Sequence, residues 1–377
     1  MKILQISPHF SPNVGGVETH LDDLVSALVE RRHTVFALTY RPLQTKTSWR
    51  IFERHKRIKI FRIPWVPGFF YKFVNNPILE FLYLFPGIFL VTPFIVLVEK
   101  PKVLHAHGIV AGIVAVFWGK IFRIRSVIST HNIYNFPSFG IHRKLIDWVF
   151  NNVDFILCLS YQSLKEIENI VDDKKKMDVF TSWVDLKKFK SQGKKKALKD
   201  RLGWNGNFTV LFVGRLVPEK GAGELLEAAK GWNKNINLVV IGSGIMEKRV
   251  LASSQKYENV LFLGKVDNTD LPIYYSASEL VIVPSTHNEG FGRVILESLA
   301  CGTPVIGSNR GAIPQVMDES VGKLIDVSSK NIMNAVEYFY KNPGKLKLAS
   351  KKSRIFVKSR YSSKNVEQII KSYLSRA

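Results

Sequence analysis

Residues 280–307 read LVIVPSTHNEGFGRVILESLACGTPVIG. Two apolar runs in this stretch, Leu280–Val283 and Pro304–Gly307, have the length of buried strands. A glycine-rich turn follows the first run, and an apolar segment with helical spacing precedes the second. Strand, helix and strand in this order predict a βαβ unit, the building block of a parallel sheet.

The same alternation extends over almost all of the 377 residues. In the first half of the chain the predicted strands are Ile3–Ser7, Thr34–Tyr40, Lys59–Ile63, Val103–His107, Val127–Thr130 and Phe155–Ser160. In the second half they are Val210–Val213, Leu238–Ile241, Val260–Leu263, Leu280–Val283 and Pro304–Gly307. This order predicts the α/β class, with two doubly wound domains whose ligand sites face each other across a cleft. A basic stretch from Asp172 to Trp204 has little apolar periodicity and is interpreted as the linker.

The chain carries 54 basic and 31 acidic side chains, a net charge of +23. Such a charge predicts an anionic partner: nucleic acid, acidic lipid or a phosphorylated substrate. Hydrophobic residues make up 46%, which excludes a disordered protein. Two distant cysteines, Cys158 and Cys301, exclude a disulfide-stapled fold and a zinc cluster, and indicate a reducing compartment. The apolar run Ile3–Ile6 is too short for a secretory signal, so a cytoplasmic protein is expected.

A further apolar segment, Ile78–Val98, has the length of a membrane span and a single charge, Glu80. Pro86 and Pro93 interrupt it, and a straight spanning helix would need neighbours to satisfy the backbone groups that they free. A kinked helix buried in a domain, or a patch lying on a membrane surface, is therefore favoured over a transmembrane span.

Two loops have the composition of phosphate sites. In the loop Ser7–Gly16, the glycines Gly15 and Gly16 let the backbone approach an anionic ligand at a helix N-terminus. An ordinary tight connection fits this loop equally well, and without a G-x-G-x-x-G pattern a nicotinamide site is not supported. In the second half, Arg215 and Lys220 follow a strand, where a guanidinium fork and a mobile ammonium can hold a pyrophosphate. A solvated Arg/Lys loop is the alternative there.

Two carboxylates, Glu289 on the glycine-rich turn and Glu297 inside the apolar helix, lie eight residues apart. A buried carboxylate is costly unless it accepts hydrogen bonds, so both are candidate ligand contacts. Eight helical residues span ~12 Å, comparable with the reach between the two sugars of a folded nucleotide sugar. Structural carboxylates that brace a helix are the alternative. No D-x-D pair occurs in the sequence, so no metal ligand is assigned.

The pattern Glu289-x7-Glu297, within E-G-F-G-x-x-x-L-E-S-L-A-C-G-T-P-V, resembles the signature of family 4 (group 1) retaining glycosyltransferases, which have the GT-B fold. The resemblance extends from about residue 1 to 340, and its other motifs are Gly15-Gly16-Val17-Glu18, His105-Ala106-His107, Ser129-Thr130-His131, Gly214-Arg215, Lys220-Gly221, Gly242-Ser243-Gly244 and Gly264. It implies two Rossmann-like domains, with the acceptor side at 1–185 and the nucleotide-sugar side at 186–355. A final helix at 356–377 is implied to cross back to the first domain.

The resemblance also implies roles for single residues. Arg215 and Lys220 would hold the pyrophosphate, and Gly15 with Gly16 would let the first loop close on the phosphates. Glu289 would contact the donor sugar, and Glu297 would contact the ribose hydroxyls. His131 would stand beside the transferred sugar, whereas His105 and His107 are interpreted as structural. The candidate catalytic residues are Glu289, His131, Arg215 and Lys220, and the candidate donor-binding residues are Gly15, Gly16, Arg215, Lys220, Glu289, Gly290, Phe291, Gly292 and Glu297.

Three positions depart from the family's pattern. Trp183 stands where the linker turn usually has a glycine that permits a positive φ, which leaves the geometry of that turn open. Gln315 replaces a glutamate and changes the charge expected in that part of the donor pocket. Ile245 replaces a proline after Gly244.

These observations predict a metal-independent, retaining glycosyltransferase that uses a nucleotide-diphosphate sugar and needs no cofactor. The alternatives are a sugar-nucleotide epimerase of similar architecture and a basic membrane- or nucleic-acid-binding protein without catalysis. The Gly15-Gly16 loop and the two glutamates argue against the epimerase. A nucleic-acid partner is not expected, because no recognised nucleic-acid-binding motif is present.

The acceptor is predicted to be lipid-linked or a cell-envelope glycan precursor, with the enzyme peripheral on the cytoplasmic face of an anionic membrane. One acid, Glu53, stands among the cations Arg31, Arg32, Arg41, Lys46, Arg50, Arg54, Lys56, Arg57, Lys59, Arg62 and Lys72. Their apolar neighbours are Trp49, Phe52, Phe61, Trp65, Phe69, Phe70, Tyr71 and Phe73. Each cation close to an anionic leaflet would contribute about 1 kcal/mol. A solvated basic face over an ordinary core is the alternative.

Overall fold

The computed structural model describes residues 1–13, 15–43, 48–66, 76–131, 134, 136–137, 139–204 and 206–375. The chain forms two compact units. The first unit comprises Met1–Ser182 and Ser363–Ala377, and the second comprises Trp183–Ser362. Each unit is built around its own mainly parallel sheet, so the predicted α/β class with two doubly wound domains is confirmed.

The first unit has one sheet, and helices connect most of its strands. The strands are β1 (Lys2–Ile6), β2 (Thr34–Tyr40), β3 (Phe52–His55), β4 (Ile58–Ile63), β5 (Val103–His107), β6 (Arg125–Thr130), β7 (Phe155–Cys158) and β8 (Met177–Val179). The helices are α1 (Gly16–Glu30), α2 (Pro77–Glu99), α3 (Ile109–Phe122), α4 (Ile141–Asn152) and α5 (Tyr161–Glu168). The strand order is β3-β4-β2-β1-β5-β6-β7-β8, with only β3 and β4 antiparallel among these described pairs. The order reverses between β1 and β5, where a ligand crevice is expected.

In the second unit, all the strands that the structure describes belong to one parallel sheet. They are β9 (Phe208–Val213), β10 (Ile236–Ile241), β11 (Val260–Phe262), β12 (Leu280–Val283), β13 (Val305–Ser308) and β14 (Gly322–Ile325). The helices are α6 (Lys195–Arg201), α7 (Ala222–Lys230), α8 (Glu247–Lys256), α9 (Leu271–Ala277), α10 (Arg293–Ala300), α11 (Ile313–Val316), α12 (Ser329–Lys341) and α13 (Pro343–Arg360). The strand order β11-β10-β9-β12-β13-β14 puts the switch point between β9 and β12.

Every predicted strand is present, whereas β3, β8 and β14 were not predicted. All three lie at the edge of a sheet. An edge strand buries less apolar surface than a central one, so its sequence carries a weaker hydrophobic pattern. In β3, the sequence Phe-Glu-Arg-His is mostly exposed.

The terminal segment differs from the prediction that a final helix begins at residue 356. Residue 356 lies inside α13, which continues to Arg360 and belongs to the second unit. Arg354 of α13 donates a hydrogen bond to the carbonyl oxygen of Ala300 at 2.9 Å, and Val357 is fully buried. The last helix, α14 (Val366–Leu374), belongs to the first unit.

The linker also differs from the prediction. Much of the stretch from Asp172 to Trp204 is structured, because β8 pairs with β7 in the first sheet and α6 belongs to the second unit. The sequence around both elements is rich in lysine, so it shows little of the apolar periodicity that predicts strands and helices. The boundary between the units falls at Ser182 and Trp183. Trp183 is buried and is not among the residues with positive φ, so its turn does not need the glycine of the family pattern.

Helix α2 is continuous through both of its prolines, and two side chains from outside the helix form hydrogen bonds with its backbone. The Tyr40 hydroxyl enters the helix between two turns, donates to the carbonyl oxygen of Leu84 and accepts from the Ile88 amide at 3.1 Å. Pro93 has no N–H for the carbonyl oxygen of Phe89, and the Trp118 indole donates to that oxygen instead at 3.0 Å. A side chain bonded between a carbonyl oxygen and an amide of the helix satisfies both backbone groups. The predicted kink of this helix stays a prediction.

Of the helices in the described residues, α2 is long and apolar enough to cross a membrane by length and composition. One face of α2 lies in the core of the first unit, through Leu84, Ile88, Ile95 and Val96. The opposite face is exposed.

Candidate functional site

The candidate donor site lies at the switch point of the second sheet, where the loops after β9 and β12 are neighbours. Two glycines after β10 let a third loop pack closely against the loop after β9. A Cβ at Gly242 would lie 1.8 Å from the carbonyl oxygen of Gly214, and one at Gly244 would lie 2.4 Å from that of Leu216. Both glycines also have positive φ, 148° and 154°. Any side chain at either position would push the loop that carries Arg215 out of place.

Lys220 and Glu289 come together at this switch point, although 69 positions separate them in the chain. The Lys220 ammonium forms an ion pair with Glu289 Oε1, and the Ser285 hydroxyl donates a hydrogen bond to the same oxygen. Glu289 is 9% exposed. Burial opposes its ionisation, but the Lys220 charge and the hydrogen bonds from Lys220 and Ser285 hold the pKa of Glu289 below its usual 4.5. Glu289 is therefore a carboxylate at neutral pH.

Backbone contacts hold the two loops together. The Thr286 amide donates to the carbonyl oxygen of Glu219 at 2.9 Å, and His287 Nδ1 donates to the same oxygen at 2.9 Å. Gly221, with φ of 71°, lies so close to β12 that a Cβ there would come within 1.8 Å of the carbonyl oxygen of Pro284. The ion pair thus rests on a fixed backbone.

Arg215 is exposed, unlike the other charged residues of the site. Within the part of the chain that the structure describes, its guanidinium makes no hydrogen bond or ion pair. It therefore keeps all its donors for a ligand. The structure brings Lys220 to Glu289 but leaves Arg215 unengaged.

Glu297 is almost fully buried, 4% exposed, in helix α10. The Tyr275 hydroxyl donates to Glu297 Oε2 at 2.9 Å, and Arg293 Nε lies 4.0 Å from Oε1. The hydrogen bond from Tyr275 orients the carboxylate, and the Arg293 charge lies beside it. Burial, with the neighbouring Glu297 charge, keeps the pKa of Tyr275 well above 10, so Tyr275 remains a donor.

The turn Gly290-Phe291-Gly292 connects Glu289 to α10. Phe291 is 9% exposed, and its ring lies 6.0 Å from that of Tyr361. Gly292 starts the helix with φ of 81°, a conformation that favours glycine. The turn therefore sets the position of Glu289 relative to the helix that holds Glu297.

In the first unit, Gly15, Gly16 and His131 lie near the switch point of the first sheet. Gly15 precedes α1 in extended conformation, and a Cβ there would come within 2.3 Å of Glu18 Oε2, so the Glu18 side chain would have to move to admit a larger residue. A Cβ at Gly16 would meet no atom within 4 Å. His131 follows β6 directly and is 8% exposed.

A chain of hydrogen bonds, not predicted from the sequence, leads from His131 to the terminal helix α14. His131 Nε2 lies 2.9 Å from His107 Nδ1, and His107 Nε2 lies 2.7 Å from Gln5 Oε1. Gln5 Nε2 donates to the Tyr373 hydroxyl at 3.4 Å, and that hydroxyl lies 2.7 Å from His105 Nδ1. His105 Nε2 reaches the Ser129 hydroxyl at 2.7 Å. His105, His107 and His131 thus belong to one network of hydrogen bonds.

The directions of these bonds assign the protons. Gln5 Oε1 can only accept, so His107 donates from Nε2 and keeps a lone pair on Nδ1. His131 therefore donates from Nε2 to His107 and carries its own lone pair on Nδ1. Burial lowers the pKa of His131 to about 4 and that of His105 to about 3, and burial with the neighbouring histidines places the pKa of His107 well below 6.5. All three rings are neutral at pH 7.

Three cations of the predicted membrane-binding stretch are paired with acids. Arg62 is 4% exposed, and its Nε donates a hydrogen bond to Glu53 Oε1 at 3.0 Å. Lys59 pairs with Glu99 at 2.7 Å, and Arg31 pairs with Glu367. Outside the described residues lie Lys46, Phe69, Phe70, Tyr71, Lys72 and Phe73.

A cavity of about 470 Å³ opens beside α1 and β4 in the first unit. Its polar lining includes Ser11, Asp22, Ser26, Glu53 and Arg62. Hydroxyl, carboxylate and guanidinium groups together can bind the hydroxyls of a polyol.

Two family models match the chain. The model described as "Glycosyltransferase Family 4" matches residues 14–188, and the one described as "Glycosyl transferases group 1" matches residues 194–356.

Similar proteins cover different parts of the chain. A D-inositol 3-phosphate glycosyltransferase from Segniliparus rotundus is 36% identical over 166 residues, 41% of this chain and 36% of that enzyme. A phosphatidylinositol N-acetylglucosaminyltransferase subunit from Homo sapiens is 24% identical over 347 residues, 89% of this chain and 67% of that protein. The crystal structure of Anabaena HepE in complex with UDP matches with a TM-score of 0.78 at 21% identity, over 99% of both chains.

Proposed function

Because the chain belongs to the group 1 glycosyltransferases and has the GT-B fold, we propose that its donor is a nucleotide-diphosphate sugar and that it retains the anomeric configuration. The observation that carries this proposal is the ion pair between Lys220 and Glu289 at the switch point of the second sheet. A cation suited to a diphosphate and a carboxylate suited to a sugar lie there in one cluster. The UDP bound to Anabaena HepE supports a nucleotide donor.

The charges of the cluster match those of the reaction. Breaking a glycosyl–phosphate bond leaves negative charge on the diphosphate and positive charge on the sugar ring. Arg215 and Lys220 stabilise the first charge, in the place that a metal ion takes in other enzymes. Glu289, kept ionised, orients the sugar hydroxyls and favours positive charge on the ring. The departing phosphate accepts the proton of the acceptor hydroxyl, so no protein base is assigned.

The remaining site residues serve binding. Glu297, held by Tyr275 and Arg293, is proposed to contact the ribose hydroxyls, and this separates it from the acid–nucleophile pairs of glycosidases. Gly290, Phe291 and Gly292 complete the donor pocket. Gly15, Gly16 and His131 are proposed to supply the phosphate and sugar contacts of the first unit.

The acceptor is proposed to be lipid-linked, with the protein peripheral on the cytoplasmic face of a membrane. The human relative is, by its name, a subunit of a phosphatidylinositol N-acetylglucosaminyltransferase. The Segniliparus relative is named for D-inositol 3-phosphate, so a soluble polyol phosphate is the second candidate. The polar cavity beside α1 is a candidate place for either headgroup.

The donor is tested by incubating the protein with UDP-, GDP- and ADP-sugars, with and without a membrane lipid extract. Release of nucleoside diphosphate that depends on the extract supports transfer, and NMR of the product gives its anomeric configuration. Activity should survive EDTA. Complete loss that manganese or magnesium restores would reject the metal-independent mechanism.

The same assay separates the alternatives. Interconversion of the sugar without release of nucleotide would indicate an epimerase. Salt-sensitive binding of nucleic acid without turnover would indicate a binding protein.

A further inference from the structure

The outer face of α2 is an apolar surface without cover among the described residues. Large apolar side chains on this helix are between 40% and 76% exposed: Ile78, Leu79, Leu82, Leu90, Phe94, Leu97 and Val98. Soluble proteins rarely expose large contiguous apolar patches, and those that they do expose are usually binding surfaces.

The apolar face extends onto the neighbouring helix α3. There, Phe117 is 38% exposed and Ile121 is 55% exposed. The ring of Phe89 lies 5.1 Å from that of Phe117, which joins the two helices side by side. We call the exposed apolar residues of α2, together with Phe117 and Ile121, the outer face.

Charges at the ends of these helices are mostly positive. Exposed cations follow or end the two helices: Lys100, Lys102, Lys120 and Arg123. Of the carboxylates on α2, Glu99 is neutralised by Lys59. Burial raises the pKa of the other, Glu80. The outer face therefore joins apolar side chains to a basic edge.

We propose that the outer face lies on an anionic lipid bilayer, with its apolar side chains among the upper acyl chains and its basic edge on the headgroups. Amphipathic surfaces of this composition bind membranes by burial of apolar area and attraction to anionic lipid. This inference rests on the proposed lipid-linked acceptor and names the surface that would bring the enzyme to it.

Two observations favour a helix that lies on a bilayer surface over a helix that spans the bilayer or packs against a second copy of the chain. Tyr40 and Trp118 hold α2 on the first unit by hydrogen bonds to its backbone, so the helix stays part of the fold and does not span. The net charge of +23 complements an anionic surface and opposes association with a second copy of the same chain.

The test is co-sedimentation with vesicles of phosphatidylcholine alone and of phosphatidylcholine with phosphatidylglycerol, at low and high salt. The outer-face variant combines Leu90→Glu, Phe94→Glu and Leu97→Glu. The matched control combines Leu251→Glu, Leu348→Glu and Ile355→Glu, which are similarly exposed in the second unit (46%, 50% and 71%). We expect the outer-face variant to bind anionic vesicles at least about tenfold more weakly than the wild type. The control should bind like the wild type.

A charge variant, with Lys100, Lys102, Lys120 and Arg123 all changed to Gln, should lose binding mainly at low salt. Circular dichroism checks that each variant is folded. Vesicle binding by the folded outer-face variant that equals the wild type would overturn the proposal. A dimer in light scattering that only the outer-face variant loses, with no vesicle binding by the wild type, would assign the face to a second copy instead.

Failure of this proposal can be told from failure of the proposed function. If the wild type binds vesicles through the outer face but no sugar nucleotide is turned over, the surface stands and the proposed chemistry fails. If sugar transfer occurs and the outer-face variant sediments like the wild type, the chemistry stands and the surface fails.

Discussion

In the proposed donor site, we expect the ionised state of a single residue, Glu289, to determine the activity. Glu289→Gln keeps the shape and removes the charge, and Lys220→Met keeps most of the length and removes the ammonium. We expect each change to lower kcat/KM by about a hundredfold or more, because each removes charge aligned with the transition state. Steady-state release of nucleoside diphosphate measures the effect.

The control is Glu219→Gln, which changes an exposed carboxylate on the same loop as Lys220. Glu297→Ala should instead raise the KM for the donor, because the ribose does not react. Turnover close to that of the wild type in Glu289→Gln or Lys220→Met would show that the ion pair is not part of the active site.

At the scale of elements, α2 depends on the Tyr40 hydroxyl. Tyr40→Phe leaves the ring between the carbonyl of Leu84 and the amide of Ile88 but removes their common partner. We expect a loss of about 1–3 kcal/mol in the free energy of unfolding, the usual cost of buried polar groups left without partners. Urea denaturation measures it.

Tyr83→Phe is the control for this change, since its hydroxyl bonds to the carbonyl oxygen of Val66 at the surface. Equal stability of Tyr40→Phe and the wild type would mean that the helix closes its own hydrogen bond around the ring.

Helix α14 is linked to His131 by the chain of hydrogen bonds, so we expect a change in the helix to alter the His131 tautomer. Tyr373→Phe frees the Gln5 amide to rotate, and His107 can then carry its proton on either nitrogen. We expect the nitrogen NMR signals of His131 to change from one tautomer to a mixture, and kcat to fall several-fold with the donor KM unchanged. Ser375→Ala, which loses contacts to Arg125 and to the carbonyl oxygen of Ser372 but none within the chain of hydrogen bonds, is the control. A single unchanged His131 tautomer in Tyr373→Phe would break the proposed link.

Elements were predicted more completely than contacts between them. Central strands such as β5 and β12 are buried and carry continuous apolar runs, whereas β3, at an edge, has almost no such pattern. The residue types of the proposed donor site were also taken from the loops, and their roles stay a prediction. The pairing of Lys220 with Glu289 could not, because it depends on β9 and β12 becoming neighbours.

The histidines show a second limit. His105 and His107 are two apart on one strand and therefore point to one face of the sheet, which is a signal of a shared role. Their partners Gln5 and Tyr373 lie 368 positions apart, and only the folded first unit joins them. Which ring nitrogen carries a proton follows from that contact.

At the scale of the whole molecule, the buried histidines make stability depend on pH. The pKa values of His105 and His131, about 3 and about 4, lie below the 6.5 of an unfolded chain. Between these values the unfolded chain binds protons that the folded one does not, so stability falls as pH drops from 6.5 towards 4. The expected slope is about 1.4 kcal/mol per pH unit for each group.

Urea denaturation at pH 7 and at pH 5 measures this slope. Pulsed hydrogen exchange of the β5 amides follows the unfolding of the strand that carries His105. His105→Gln should flatten it, whereas His55→Gln, whose side chain is 72% exposed, should not. A slope that is the same in all three proteins would place the acid sensitivity elsewhere.

The return of the chain to its first unit has a consequence for biosynthesis. A ribosome makes residues 1–182 first, and it makes the segment from Ser363 onward only after all of the second unit. Until then Gln5 and His105 have no Tyr373 to form hydrogen bonds with. These polar side chains of the first sheet therefore stay uncovered while the rest of the chain is made. The second unit can fold while the first is still open, so the order of completion is the reverse of the order of synthesis.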